Sequence, residues 1–325
     1  MHEFDLIKEY FTWDSSPTDV IKGVGDDAAI LEIPPHQQLV TSIDTFISGV
    51  HFPENTPVEA IGHKALAVNL SDLAAMGATP HWFTLALTLP DINPEWLSEF
   101  SLGLKTLAQE YNCFLVGGDT TRGSLSITIQ VMGVVDKGKA LMRSGAKVGD
   151  SLYVTGTLGD AAIGLKTIQT DFAIQKEHRD HCQQHLNKPI PRLKESAIIR
   201  QFASSCIDIS DGFLQDLGHI LKASNVGAQI TLADFPLSSA LKTLPKKIAI
   251  NAMLSGGDDY ELLFTIPQKN KELFEKYIKK GGDGYYKEFH EESYKEIGVI
   301  NHQVGSIIDE TGKQLSLTGF KHFQD

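Results

Sequence analysis

The sequence predicts a two-domain α/β protein, and three features lead to this prediction. The chain has 325 residues, which is more than one compact core usually holds. Apolar runs of strand length alternate with helical patterns in both halves of the chain. Around residues 137–150 the sequence becomes rich in Gly and Lys, and a new strand pattern then begins at Ser151. We therefore expect a domain boundary there, with domains at 1–140 and 141–325.

The first half is predicted to form a sheet with helices between its strands. In its last strand apolar Ile127 and Ile129 alternate with polar Thr128, so one sheet face is apolar and must be covered. One helix is expected to end before Gly77, and another to begin at Pro94, because these residue types favour those positions. The predicted strands are 28–33, 39–43, 82–89 and 125–135, and the helices are 57–76 and a segment that begins at 93–95.

The second half continues the same alternation of strands and helices. A stretch rich in Gly, Lys, Glu and Tyr, at 279–294, is predicted to be an exposed loop. The predicted strands are 151–155, 206–209, 228–232 and 261–266, and the predicted helices are the LGDAAIGLKTI pattern at 158–168 and segments near 192–203, 213–223 and 268–280.

Composition limits the classes of partner. Forty-one acidic residues against 29 basic ones give a net charge of -12, which argues against nucleic acid or an anionic membrane as the main ligand. No apolar run approaches the length of a membrane span, so we expect a cytoplasmic protein. The three cysteines, Cys113, Cys182 and Cys206, are odd in number and widely spaced. They predict buried small side chains rather than a disulfide framework or a cysteine-zinc site.

Aspartates recur at the ends of apolar strands and beside glycine pairs. Ligands bind at such strand ends, although a single aspartate there is also a common turn or cap residue. Asp72 adds a carboxylate to a predicted helix face of small and apolar side chains, which it shares with Asn69. The recurrence favours a common site more than any one aspartate does. The segments are GVGDDAA at 23–29, SIDT at 42–45, GGDT at 117–120, IDISDG at 207–212 and GGDDYE at 256–261.

A shared site of this kind would need cations. Two bare carboxylates about 4 Å apart repel each other by roughly 4 kcal/mol at an effective dielectric constant near 20. Oxygen-rich sites suit Mg²⁺, which binds through a few carboxylates together with phosphate oxygens. Glycine pairs at 117–118 and 256–257 could let backbone amides approach a phosphate, although simple turns explain such pairs equally well. The aspartates concerned are Asp27, Asp44, Asp72, Asp119, Asp208 and Asp211.

Two other patterns carry less weight. The string GVVDKGK at 133–139 resembles a phosphate-binding loop, but Ala140 follows where a Ser or Thr would meet Mg²⁺. The run HRDHCQQH places His178, His181, Cys182 and His185 at helical spacings that could bind a transition metal, but we expect a solvated helix face instead.

Taken in order, several motifs resemble those of the thiamine-monophosphate kinase family. They are VGDDAA, SIDTFISGVHF, NLSDLAAMGA, VGGDT, RSGAKVGDSLYVTGTLGDAAIGL, PIPRL, IDISDGFLQDLGHI and SGGDDYELLFT, which together run from about residue 20 to 266. The wider superfamily includes aminoimidazole-ribonucleotide synthetase, selenophosphate synthetase and a hydrogenase-maturation enzyme. The resemblance implies a two-domain synthetase-like α/β (α+β) fold with mixed sheets flanked by helices. It also implies a homodimer in which the N-terminal sheet pairs with that of a second subunit and covers the strand at 125–133.

The resemblance further implies a set of site residues. Ile43 stands where the family frequently has Thr, so only its backbone carbonyl could serve there. The implied catalytic residues are Asp44, Asp72, Asp208 and Arg143. The implied ATP contacts are Gly118, Asp119, Arg143 and Ser210. The residues implied to face thiamine monophosphate are His51, Asp258 and Phe320. The implied metal ligands are Asp27, Ser42, Ile43, Asp44, Asp72, Asp119, Asp208 and Asp211.

The implied reaction is direct transfer of the γ-phosphoryl group of ATP to the phosphate of thiamine monophosphate, with several Mg²⁺ ions per site. The N-terminal domain would bind ATP and Mg²⁺ and form the dimer, and the C-terminal domain would complete the site. Two alternatives stay open at this point: an ATP-dependent cyclo-ligase like aminoimidazole-ribonucleotide synthetase, and a non-catalytic sensor of nucleotide or Mg²⁺.

Overall fold

The structure is a computed structural model that describes residues 3–13, 17–279, 293–316 and 319–320. The chain divides into two compact units. The first contains residues 1–73 and 78–140, and the second contains residues 74–77 and 141–325. Most of the loop predicted at 279–294 lies outside the described residues.

The first unit is built on a four-stranded sheet. The strand order is β3-β6-β4-β5, in which β4 and β5 run parallel and the other neighbours run antiparallel. A separate antiparallel pair joins β1 and β2. The elements are α1 (Glu3–Tyr10), β1 (Val20–Lys22), β2 (Ile30–Leu31), β3 (Gln37–Ile47), α2 (Val58–Ala75), β4 (Thr79–Leu89), α3 (Pro94–Glu110), β5 (Phe114–Arg122) and β6 (Ser126–Asp136).

Two helices of this unit pack with their backbones in close contact. A Cβ atom on Gly62 of α2 would lie 2.1 Å from the carbonyl oxygen of Phe100, and one on Gly103 of α3 would lie 1.9 Å from that of Glu59. Only glycine fits at both positions. The N-terminus of α3 has the predicted form, because the Asn93 side chain accepts hydrogen bonds from two backbone N–H groups and Pro94 follows it.

The second unit contains a six-stranded mixed sheet of order β12-β9-β11-β7-β10-β8. Among the strands that the structure describes here, β12 and β9 run parallel and the other neighbours run antiparallel. The elements are β7 (Ser151–Thr155), α4 (Asp160–Gln169), α5 (Lys176–Asn187), α6 (Leu193–Ile199), β8 (Ser205–Asp208), α7 (Phe213–Ser224), β9 (Gly227–Ile230), a 3₁₀ turn (Leu232–Asp234), α8 (Ser239–Lys242), α9 (Lys246–Ser255), β10 (Leu262–Ile266), α10 (Gln268–Lys279), β11 (Tyr294–Asn301) and β12 (Ile307–Ile308).

Both faces of this sheet are buried, which explains why its central strands are continuous apolar runs. Leu152 and Val154 of β7 belong to one core cluster, whereas Tyr153 between them belongs to another. The same division separates Leu263 from Phe264 on β10. Successive side chains of a strand point to opposite faces, so the two clusters form separate hydrophobic cores above and below the sheet.

Some predicted elements differ from the observed ones. The strand β5 was not predicted, because Gly117 and Gly118 and the polar residues after them interrupt its apolar run. Apolar side chains of β6 such as Ile127 and Ile129 are already buried within the single chain. The three cysteines are buried and unpaired, as predicted. Within the described residues, no helix combines the length and the apolar character needed to cross a membrane.

Candidate active site

In the first unit, β3 and α2 bring two predicted acidic residues together. Ser42 and Asp44 are two residues apart on β3, so their side chains lie on the same face of the sheet. The Ser42 hydroxyl donates a hydrogen bond of 2.5 Å to Oδ2 of Asp72 on α2. Thirty residues separate Ser42 and Asp72 in the sequence, and the packing of α2 on β3 brings their side chains into contact.

The carboxylates of Asp44 and Asp72 lie near enough to repel each other. Burial, and after it the negative charge of Asp72, raises the pKa of Asp44 to about 6. Two carboxylates and a hydroxyl form an oxygen-only donor set, which is the kind that Mg²⁺ prefers. Residues Ser42, Asp44 and Asp72 therefore fit the predicted magnesium site.

Asp119 occupies a different part of the same sheet. The strand register aligns Asp44 with Ile129, Leu85 and Gly118 in one row, and Asp119 lies in the next row. Neighbouring rows point to opposite sheet faces, and β3 and β5 are the two edge strands, about 14 Å apart at roughly 4.8 Å per step. Within one chain, Asp44 and Asp119 would thus serve different ions.

Two further predicted residues of this unit lie in loops. Asp27 is exposed, and its backbone N–H donates a hydrogen bond of 3.0 Å to the side chain of Asp26. His51 follows β3, where its Nδ1 accepts a hydrogen bond of 3.0 Å from the backbone N–H of Ile47. The His51 ring stacks on Phe46 at a centroid distance of 5.4 Å. The end of β3 thus fixes the orientation of His51.

In the second unit, the loop after β8 carries the predicted residues Ser210 and Asp211. The backbone N–H groups of Ser210, Asp211 and Gly212 donate hydrogen bonds of 3.1, 3.2 and 3.1 Å to one oxygen of Asp216. Burial, and secondly the charge of Asp211, raises the pKa of Asp216 to about 7, although the three donors act in the opposite direction. Asp208 is nearly fully buried at the end of β8, immediately before this loop.

The same loop also contacts two of the three residues predicted to face thiamine monophosphate. The backbone N–H of Asp258 donates a hydrogen bond of 2.8 Å to the carbonyl of Ser210, and that of Phe320 donates one of 3.0 Å to the carbonyl of Asp211. Asp258 has a φ of 68°, which non-glycine residues seldom adopt, and the Tyr260 hydroxyl donates to its side chain at 3.2 Å. The Phe320 side chain is 48% exposed and can contact a ligand.

Arg143 is exposed, and its carbonyl accepts a hydrogen bond of 3.3 Å from the Ser224 hydroxyl. The charges of both Arg143 and Asp211 act on His219, whose pKa is lowered by burial first and by Arg143 second. The guanidinium of Arg143 and the carboxylate of Asp211 therefore both lie close enough to His219 to influence its pKa.

Packing explains three of the four glycines in the predicted pairs, Gly117 being the exception. A Cβ atom on Gly118 would lie 1.9 Å from the carbonyl oxygen of Leu85. A Cβ on Gly256 would meet the carbonyl oxygen of Ala252 at 2.3 Å, and one on Gly257 would meet that of Ser210 at 2.5 Å. Close backbone contacts within each unit thus require these glycines whether or not a phosphate binds beside them.

Comparisons with known proteins agree with this architecture. Residues 25–135 match the family model "AIR synthase related protein, N-terminal domain", and residues 147–286 match the corresponding C-terminal domain. Thiamine-monophosphate kinase of Escherichia coli K12 is 50% identical over 273 residues, which cover 83% of this chain and 84% of the relative. The chain belongs to the thiamine-monophosphate kinase family.

Solved structures of this family have the same fold. Thiamine-monophosphate kinase from Stenotrophomonas maltophilia K279a is 40% identical with a TM-score of 0.83, over 92% of this chain and 93% of that one. AaThiL complexed with AMPPCP and TMP is 31% identical with a TM-score of 0.77, over 93% and 92% of the two chains.

One network within the motifs shared with this family was not predicted. Glu261 of the GGDDYE segment is buried, and it accepts hydrogen bonds of 2.7 and 2.5 Å from Arg192 of the PIPRL segment. The Thr155 hydroxyl adds a third hydrogen bond of 2.6 Å. Gly156, with a φ of 53°, leaves room for the carboxylate, because a Cβ there would lie 2.0 Å from Oε1. A buried acidic residue paired with a distant arginine has no local sequence signal.

Proposed function

We propose that this protein phosphorylates thiamine monophosphate with ATP to give thiamine diphosphate and ADP. The observation that carries the proposal is the 50% identity to the E. coli thiamine-monophosphate kinase over 83% of this chain. A second support is the fold shared with AaThiL, which was solved with TMP and with AMPPCP, an analogue of ATP. The acidic residues of the two units suit a reaction between two phosphate groups.

The reaction asks for little covalent chemistry from the protein. A phosphate oxygen of thiamine monophosphate is already an anionic nucleophile, so no general base is required. It forms a new bond to the γ-phosphorus of ATP while the bond between that phosphorus and the oxygen bridging to the β-phosphate breaks, and ADP leaves. What the side chains supply is alignment and neutralisation of charge.

We propose that Ser42, Asp44 and Asp72 hold Mg²⁺ in the first unit, with the Ile43 carbonyl and Asp27 as further ligands. Asp119, also in the first unit, binds a separate ion, and Asp208 and Asp211 hold Mg²⁺ in the second unit. When bound, Mg²⁺ would neutralise phosphate oxygens and stabilise the transition state of an in-line transfer. Burial, and secondly the charge of Asp72, raises the pKa of Asp44, and this supports the role because a cation would relieve the repulsion from Asp72.

The remaining proposed roles concern the two substrates. Gly118, Asp119, Arg143 and Ser210 would contact ATP, and the guanidinium of Arg143 would neutralise charge that develops on the phosphates. His51, Asp258 and Phe320 would face thiamine monophosphate. The hydrogen bond that fixes the His51 ring and the loop contacts of Asp258 and Phe320 support this assignment, because they orient these groups in advance.

A direct assay tests the proposed activity. Purified protein is incubated with ATP, Mg²⁺ and thiamine monophosphate, and thiamine diphosphate and ADP are measured by chromatography. The expected result is equal amounts of the two products, and none when thiamine monophosphate or Mg²⁺ is omitted. Release of ADP that depends on a purine precursor instead would favour the cyclo-ligase, and ATP binding without any product would favour the sensor.

We also propose a homodimer formed through the outer face of β3. Leu39, Ile43 and Ile47 lie on one face of this edge strand, and their side chains are 45%, 60% and 43% exposed. A row of exposed apolar side chains on an edge strand is a surface that another copy of the chain can cover.

The mass of the protein in solution tests the dimer. Leu39→Glu should shift the species seen by light scattering from dimer to monomer, because it buries a charge at the contact. Leu102→Glu, a matched change on the exposed side of α3, should leave the mass unchanged. A wild-type monomer, or a dimer that Leu39→Glu does not affect, would contradict this interface.

A further inference from the structure

Three potential metal ligands converge in the second unit, at the contact between α4 and α5. Asp160 is the first residue of α4, and His181 and His185 are one turn apart on α5. One side-chain ligand atom from each of the three lies within 4.8 Å of the others. We propose that these residues bind one first-row transition-metal ion of the Zn²⁺ type, at a site distinct from the magnesium ligands.

The carboxylate of Asp160 is buried and held in place. Its Oδ1 accepts a hydrogen bond of 2.6 Å from the Ser238 hydroxyl, and its Oδ2 accepts one of 2.7 Å from the Thr157 hydroxyl. Metal-binding carboxylates are characteristically oriented by hydrogen bonds from neighbouring groups of this kind. Asp160 is therefore preorganised before any ion arrives.

His181 has a ring nitrogen whose contacts are incomplete. Its Nε2 is inaccessible to solvent and has no hydrogen-bond partner among the described residues, although it lies 3.5 Å from Oδ1 of Asp160. A buried polar atom without a partner is costly, and a metal ion between Nε2 and the carboxylate would satisfy both. The rings of His181 and His185 lie 4.4 Å apart between centroids, so the second imidazole reaches the same point.

The surroundings favour imidazole in its neutral, metal-binding form. Burial lowers the pKa of His185, while Asp160 and Glu261 act to raise it and His181 and Arg192 act to lower it. A neutral ring is the form that coordinates a metal.

Two imidazoles and one carboxylate match zinc rather than Mg²⁺ or Ca²⁺, which prefer oxygen ligands alone. Bonds of about 2.0–2.2 Å in a tetrahedral site place ligand atoms roughly 3.3–3.5 Å apart. Small rotations of the two histidine side chains would close the remaining distance. The bound ion would join the start of α4 to α5, with water at the fourth position.

Metal binding by the intact protein tests the site. The full chain is freed of metal with a chelator and titrated with Co²⁺ and then Zn²⁺, in excess Mg²⁺ to occupy the acidic site. The expected result is one ion per chain, visible as the intense absorption of tetrahedral Co²⁺ and lost when Zn²⁺ displaces it. His181→Gln should weaken Zn²⁺ binding by at least about 100-fold, since even loss of an outer-shell group costs 10- to 100-fold.

The matched control is His178→Gln, one turn earlier on the same helix, which should bind Zn²⁺ like the wild type. Zn²⁺ should also raise the melting temperature of the wild type and of His178→Gln, but not that of His181→Gln. His185→Gln provides a second variant of the site. The absence of stoichiometric binding in the wild type, or equal binding by all three variants, would overturn the proposal and leave a His181–Asp160 ion pair.

Discussion

Glu261 is a buried carboxylate and Asp44 a partly buried one, and the groups around the two differ in charge. Glu261 is buried with a bidentate arginine, a threonine hydroxyl and a glycine that makes room for it. Asp44 has as its main electrostatic neighbour another carboxylate, that of Asp72. The first arrangement pairs the carboxylate with a positive charge, whereas the second places two carboxylates near each other, and a bound cation would relieve their repulsion. Acidic residues of these two kinds should respond differently to substitution.

The largest effect on folding is expected at Glu261. Glu261→Gln would remove the bidentate charge partner of Arg192, whose side chain is 19% exposed, and would leave it the longer contact of 3.7 Å with Glu195. Removal of one member of a buried ion pair costs about 3–5 kcal/mol, and we expect a loss in this range in the free energy of unfolding measured with urea. Glu272→Gln, on an exposed position of α10, should change it by less than about 0.5 kcal/mol. Equal stabilities of the two variants would contradict the assigned role of the network.

The next largest effect is expected in catalysis, at Asp72. Asp72→Asn keeps an oxygen that can accept the hydrogen bond of Ser42 but removes the charge that would bind Mg²⁺. Turnover should fall by at least about 100-fold, or roughly 3 kcal/mol in the activation free energy, while the free energy of unfolding changes little. Ser42→Ala should lose less turnover than Asp72→Asn. A wild-type rate for Asp72→Asn at saturating Mg²⁺ would refute its role.

A smaller effect on stability is expected at Asp216, a carboxylate that, like Glu261, has its hydrogen-bond donors within the chain. Asp216→Ala would leave three backbone N–H groups of the loop at 210–212 without their acceptor. We expect a loss of about 1–3 kcal/mol in the free energy of unfolding, together with a raised KM for ATP. Asp171→Ala, at an exposed position, serves as the control. A stable variant with an unchanged KM would show that the loop keeps its form without Asp216.

Local patterns in the sequence predicted much of the fold. The strand at 151–155 was predicted with its observed limits, and the helix predicted at 57–76 is α2 within a residue at each end. These elements are continuous apolar runs or clear helical patterns. The strand β5 does not follow from its sequence, because glycine and polar residues interrupt the apolar pattern of a strand there. Backbone hydrogen bonds to β4 form the strand whatever its side chains are. Its existence depends on a neighbour that is distant in sequence.

The site was predicted less completely than the fold. The family motifs pointed to Asp44 and Asp72, but no local pattern shows that Ser42 bonds to Asp72 or that Asp119 lies on the opposite edge of the sheet. The histidine run on α5 was interpreted as a solvated face, because its partner Asp160 belongs to another helix. Sequence identifies residues that can ionise, whereas their partners are decided by tertiary packing.

The most direct test of the contrast is the pair of values measured for Asp44→Asn: its rate of thiamine diphosphate formation in saturating Mg²⁺ and its free energy of unfolding without Mg²⁺. We predict that the rate falls by at least about 100-fold, while the stability equals or exceeds that of the wild type because a repelling charge has been removed. A variant that keeps the wild-type rate, or one whose activity is lost only because it no longer folds, would contradict the account.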